Sequence, residues 1–205
     1  MGWRWFGRQQ ARSAVSQAAV STADSVHLLL MYQREADPQL LQQLFLRYAD
    51  ALYHFLLKQC DAELAQDLSQ QSWLQLMQHA ASYQGQSSVK TWLFSIGRNL
   101  LVDELRRRRP MADADILDSL ADDASRPLQH LLHAEQNARL SLAIASLPYV
   151  QREALLLQLE DFSLAQIAEI TGTGAETVKT RLRYARQTLQ QWLNPAPGVN
   201  NETGR

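Results

Sequence analysis

Cysteine is all but missing from this sequence, with Cys60 alone among 205 residues. One thiol excludes an internal disulfide framework and fits a reducing compartment, where its ordinary role is that of a small buried side chain. No apolar run approaches the roughly 20 residues that a membrane-crossing helix needs, so no membrane insertion is expected. The N-terminus carries no continuous apolar core of the secretion-signal kind, which points to a cytoplasmic protein. Net charge is missing too: 20 Lys and Arg against 21 Asp and Glu leave −1. Any grip on a polyanion must therefore come from local patches.

Catalytic signatures are also lacking. The histidines show no HExxH spacing, and there is no glycine-rich phosphate loop or nucleophile motif. His130 and His133 could share one helix face, but no further ligand accompanies them. We expect a protein that is not an enzyme, with no catalytic residues, no metal and no cofactor.

Helical periodicity is what the sequence has in abundance, and its densest stretch is SLAQIAEITGTGAETVKTRLRYARQTLQQW, residues 163–192. Ser163 is a good N-cap and Gln166 completes a capping box. Gly172 can take the left-handed conformation that ends a helix. Thr173 and Glu176 form a second capping box, with Gly174 as the rival N-cap. Val178, Leu182, Ala185 and Leu189 then recur at i, i+4, i+7 and i+11 as one buried stripe. Glu176, Lys179, Thr180, Arg183 and Gln187 fall on the other side, with Arg186 beside them. A short helix, a tight turn and a helix with a basic outer face describe a helix-turn-helix. An ordinary helical hairpin with a solvated basic face has the same periodicity. Four cations (Lys179, Arg181, Arg183, Arg186) against Glu176 favour DNA.

Helical signals fill most of the remaining chain. Residues 1–24 open with MGWRWFGRQQAR and drift into small and polar residues, a disordered basic and aromatic tail. From Ser25, Val26, Leu29, Leu30 and Gln33 lead to Asp37 and Pro38, a cap followed by a first-turn proline. Leu41, Leu44, Phe45, Tyr48, Leu52, Phe55 and Leu56 point inward in the next helix. Leu64, Leu68, Trp73, Leu76 and Met77 do so in a third. A polar loop, YQGQSS over residues 83–88, precedes a helix whose stripe is Val89, Trp92, Leu93, Ile96 and Leu100. Arg106 to Arg109 close that helix, where the macrodipole favours cations, and Pro110 stops it. Five aspartates within residues 111–127 make an acidic linker. We expect an all-α protein of two small helical domains, 25–110 and 128–193, joined by that flexible linker, with a disordered tail over 194–205.

Two groups of residues now match one family. AQDLSQ (65–70) with Trp73, then SVKTWLFSIGRNLLVD (88–103), resembles region two of bacterial sigma factors. LPYVQREA (147–154) with the helix-turn-helix resembles region four. Only the short acidic linker lies between them, which is similar to the extracytoplasmic-function (ECF) class.

The resemblance implies an RNA polymerase sigma factor that directs core enzyme to promoters, reads the minus-ten and minus-thirty-five elements and assists strand opening. It implies that Asp67, Gln70 and Gln71 face the β′ clamp helices of core RNA polymerase, and that the β flap is a second contact. Gln84, Gln86, Ser87, Ser88, Lys90 and Arg98 would form the minus-ten surface, where a flipped base is held on the loop. Trp92 sits in the apolar stripe and reads as core. Thr177, Lys179, Thr180, Arg183 and Arg186 would meet the minus-thirty-five duplex. Three departures from the family pattern stand out. Gln71 replaces a common Glu, Trp73 a common Phe, and Arg183-Tyr184-Ala185-Arg186 moves one positive charge about 100° around the helix. Promoter DNA, core polymerase and an anti-sigma factor are the implied partners. The alternative is a stand-alone helix-turn-helix transcriptional regulator, which would bind DNA without polymerase.

Overall fold

The computed structural model describes residues 24–108 and 135–193, and every regular element among them is helical. The expected acidic linker (111–127) and the two tails (Asp24 apart) lie outside the described residues. Helix α1 covers 24–35. Asp37 then caps α2 (Pro38–Leu57), accepting the Gln39 N–H, and Pro38 opens the helix where a missing N–H costs nothing. Asp61 caps α3 (Ala62–His79) in the same way, accepting the Leu64 N–H at 2.9 Å. A short 3-10 turn, Ala80–Ser82, leads into the polar loop. Ser88 caps α4 (Val89–Arg108), its hydroxyl accepting the Thr91 N–H at 3.0 Å.

These four helices close on Leu29, Leu44, Leu52, Phe55, Leu76 and Leu93, none more than 1% exposed. Cys60 is buried at the end of α2 and its thiol donates to the Leu56 carbonyl. Two residues that the apolar period places inward are not there: Phe45 is 48% and Met77 40% exposed. The stripes on α2 and α3 are wider than their neighbours can cover.

The second set comprises α5 (Glu135–Ala145), α6 (Tyr149–Leu159), α7 (Leu164–Thr171) and α8 (Ala175–Leu193). Arg152 ties α5 to α6, donating to the carbonyls of Ala145 at 2.9 Å and Leu147 at 3.3 Å. The Ser163/Gln166 capping box forms at the start of α7. Gly172 ends that helix at φ 64°, and the Thr173 N–H reaches back to the Ala168 carbonyl, the arrangement only a residue without Cβ adopts easily. The second capping box does not form. Thr173 is committed to α7, by that backbone bond and by a hydroxyl contact with Thr171 at 2.9 Å. Gly174 takes the N-cap position instead, accepting the Val178 N–H at 3.1 Å. Val178, Leu182 and Ala185 are buried and Leu189 packs at the edge.

The two sets share one continuous apolar core. Helix α4 lies between them, on α2 and α3 from one side and on α7 from the other. Phe94 is the hinge of that packing, 5.3 Å from the Phe55 ring and 4.9 Å from Phe162. It falls off the expected stripe because a second surface of α4 is buried as well.

Candidate nucleic-acid and partner interfaces

Asp67, Gln70 and Gln71 are all exposed on α3, opposite its buried Leu64, Leu68 and Trp73. Beside them a groove runs between α2 and α3, with Gln70 on its rim and Phe45, Tyr53, Trp73 and Leu74 along it. Phe45 and Trp73 meet edge-tilted at 5.1 Å, and Leu46 and Leu74 are 76% and 55% exposed. The groove therefore combines an apolar floor with polar residues at its rim. The apolar period assigns Phe45 and Met77 to the core, so no sequence pattern marks this groove.

Loop 83–88 presents Gln84 and Gln86 to solvent, with Ser87 and Ser88 half-buried. The Gln86 amide donates to the Gln84 oxygen at 3.2 Å. Trp92 stacks on Tyr83, centroids 5.1 Å apart, so its indole is part of the packing under the loop.

Lys90 and Arg98 lie elsewhere than on an open surface. Lys90 donates to the Glu160 carbonyl at 2.5 Å, sits 3.8 Å from that residue's carboxylate and lies 4.7 Å over the Phe162 ring. Burial lowers its pKa, with Glu160 pulling the other way. Arg98 is 8% exposed, and its Nε donates to Glu153 at 2.9 Å. Glu153, itself fully buried, also accepts the Tyr149 hydroxyl at 3.0 Å. Burial first, and Glu153 second, hold the Tyr149 phenol well above its usual range. A third polar contact joins the halves: the Gln166 amide donates to the Thr91 hydroxyl at 3.3 Å, and that hydroxyl pairs with Ser88 at 2.8 Å. Of the six residues expected on the minus-ten surface, four remain on the solvent side and two are covered by the second half. Their covering residues Glu153 and Glu160 lie 55 and 70 positions away along the chain, so no local pattern announces them.

Helix α8 is arranged otherwise. Thr177, Lys179, Thr180, Arg183 and Arg186 are all exposed. Lys179 pairs within the helix with Glu176 at 2.6 Å, Arg186 donates to Gln158 at 2.6 Å, and Arg183 lies 5.0 Å over Tyr184. These are loose contacts at the surface, and a phosphate could displace each of them. Among the described residues no His, Cys, Asp and Glu cluster could hold a metal ion, and no helix is long and apolar enough to cross a membrane.

Comparison with known proteins follows the same two-part layout. Sigma-70 region 2 matches residues 44–110, and Sigma-70 region 4 matches 137–189. The chain is 30% identical over 166 residues to the ECF RNA polymerase sigma factor SigM of Bacillus subtilis (strain 168), covering 79% of this chain and 99% of that one. It is 32% identical over 178 residues to the ECF RNA polymerase sigma factor RpoE of Cereibacter sphaeroides, covering 83% and 96%. Among solved structures it is similar to the sigma factor RpoE in complex with the anti-sigma factor NepR from Bartonella quintana, at 25% identity and TM-score 0.59 over 76% of this chain and 98% of that one. CnrH in complex with the cytosolic domain of CnrY shares the fold, with TM-score 0.63 at 21% identity over 85% and 99%.

Proposed function

This chain belongs to the extracytoplasmic-function family of RNA polymerase sigma factors, and from that premise we propose how its surfaces divide the work. As a sigma factor it serves transcription initiation and promoter recognition, a DNA-binding role in which polymerase supplies the chemistry. The observation that carries this reading is the order of matches, region 2 then region 4, together with the exposed cationic face of α8.

The region-two module, residues 25–110, docks on the β′ clamp helices of core polymerase through Asp67, Gln70 and Gln71. The neighbouring Phe45, Leu74 and Met77 supply the apolar area that polar rims alone lack. Loop residues Gln84, Gln86, Ser87 and Ser88 take the flipped minus-ten base, offering hydrogen bonds to its edge. Lys90 and Arg98 serve that strand's phosphates only after the second module has moved off them. The region-four module, residues 128–193, carries the helix-turn-helix formed by α7 and α8, and meets the β flap. Its Thr177, Lys179, Thr180, Arg183 and Arg186 contact the minus-thirty-five duplex.

The described arrangement is therefore a promoter-silent one, in which one half of the molecule covers two cations of the other. Two of the structural relatives are seen with the anti-sigma factor NepR and with CnrY. That supports an anti-sigma partner for this chain, acting in the cytoplasm on a protein that already favours a closed form. A stand-alone regulator would bind operator DNA by itself, usually as a dimer; the paired regions weigh against it. Run-off transcription with core polymerase on a promoter library is the test. Promoter-specific transcripts that depend on this protein are expected, and their absence from every promoter pool would sink the reading.

A further inference from the structure

Gln33 has no part in the family motifs and lies ahead of the residues that region 2 matches, yet its side chain reaches from α1 to the start of the loop. Its amide nitrogen donates to the Ala80 carbonyl at 2.6 Å and to the Tyr83 carbonyl at 2.9 Å. An amide NH₂ has two hydrogens to give, and both are used on the two ends of one turn. Those carbonyls stand where a helix has run out of its own donors. The Ala80 carbonyl also accepts the Tyr83 N–H at 3.0 Å, so the turn is locked from both sides.

From Tyr83 the tie continues through the side chain. Its phenol donates to the Ser87 carbonyl, four residues on at the far end of the loop, and its ring stacks on Trp92 of α4. Between these fastenings Gln84, Gly85 and Gln86 bow outward into solvent. Gly85 makes the bow at φ +75°, a conformation that side chains other than hydrogen resist, and it faces Val26 of α1. Helix α1 is itself fixed to α2: Arg47 donates to Asp24 at 2.9 Å and to Ser25 at 2.7 Å, and Ser25 meets the Tyr48 hydroxyl at 2.7 Å.

We propose that Gln33 is a positioning residue for promoter melting: by holding the Ala80 and Tyr83 carbonyls it presets loop 83–88 in the shape that receives the flipped minus-ten base. The inference rests on the loop being the base-reading element, as proposed above. A loop ordered before binding does not have to be ordered at the moment a base is unstacked, so more of the pocket contact survives as net stabilisation of the open strand.

The test uses the full chain with core polymerase and a promoter library randomised across the minus-ten element. Gln33→Met keeps the length and removes both donors, whereas Gln33→Lys keeps a donor group. Gln33→Met should lower open-complex formation by about tenfold, the scale of two lost hydrogen bonds. It should also flatten base preference in the minus-ten element, while core-polymerase affinity stays within about twofold of the wild type. In the free protein the amides of residues 84–87 should exchange faster. Gln33→Lys should restore part of both effects. Unchanged base preference and unchanged loop exchange in Gln33→Met would overturn the proposal, as would equal damage from Met and Lys. A Gln84→Ala/Gln86→Ala variant separates the two layers. If it leaves base preference intact, the loop assignment itself fails and takes the proposal with it; if it changes base preference while Gln33→Met does not, only the brace is wrong.

Discussion

Helices α4 and α8 carry similar chemistry and opposite fates. Each presents Lys and Arg that the family pattern assigns to DNA, yet α8 turns its cations to solvent and α4 has two of them covered. The difference lies in what stands opposite. Among the described residues, the cations on the outer face of α8 make their polar contacts with Glu176 and Gln158. The outer face of α4 meets α7 and the end of α6, where Glu153, Glu160 and Phe162 receive Arg98 and Lys90. A basic residue on a helix is thus a site only if no acid elsewhere in the fold has taken it first. The two cations on α4 are held differently from each other, one by a buried pair and one by a half-exposed contact with an aromatic floor.

The buried pair gives the largest expected effect. Arg98→Ala leaves Glu153 without its hydrogen-bonded cation in a position with no access to water, and removing one partner of a buried pair costs about 3–5 kcal/mol. Urea denaturation should report that loss, and Arg98→Met with Glu153→Leu should recover part of it, the buried Tyr149 hydroxyl losing its acceptor. A loss under 1 kcal/mol in the single variant would mean that the pair opens freely in solution. On the exposed helix the expectation concerns binding rather than stability. Arg183→Ala should weaken binding to the minus-thirty-five duplex by about 1–3 kcal/mol if the guanidinium reads a base. A uniform loss across sequences, with the salt slope reduced by about 1, would identify a phosphate contact instead.

A smaller change should convert one helix's behaviour into the other's. Glu160→Lys sets a second cation beside Lys90, and a partly exposed contact of this kind is worth on the order of 1 kcal/mol. Small-angle scattering should then show an expanded molecule, and affinity for single-stranded minus-ten DNA should rise. An unchanged radius with unchanged affinity would show that Lys90 does not help hold the halves together. The smallest effect is a pH dependence. The Tyr149 phenol is held above its usual value near 10, chiefly by burial and next by Glu153, so the folded chain keeps a proton that the unfolded chain releases. Its contribution is complete below about pH 10 and is lost as pH rises through the higher folded value. Stability measured above pH 10 should fall more steeply for the wild type than for Tyr149→Phe.

Much of this arrangement is legible locally. Asp37 before Pro38, Ser163 with Gln166 and Gly172 at a helix end are decisions made within four residues, and each appears where the sequence places it. The failures have equally local causes. Thr173 and Gly174 compete for one N-cap, and the preceding helix claims the threonine through its backbone. Phe45 and Met77 satisfy the apolar period but outrun the area that α2 and α3 can share, which leaves them exposed. Gln33 reads as one more polar residue on an amphipathic helix, since its two acceptors are backbone atoms 47 and 50 positions away.

The amino-acid order alone fixed an all-helical chain, the ends of most of its helices, the sigma-factor family and the cationic side of α8, because caps and stripes act over one or two turns. Only the tertiary structure decided which cations are covered and which stay exposed. Whether Arg98 faces a phosphate or Glu153 depends on how two distant surfaces meet, and the free energy of a buried charge is set by its neighbours in space, whatever their distance along the chain.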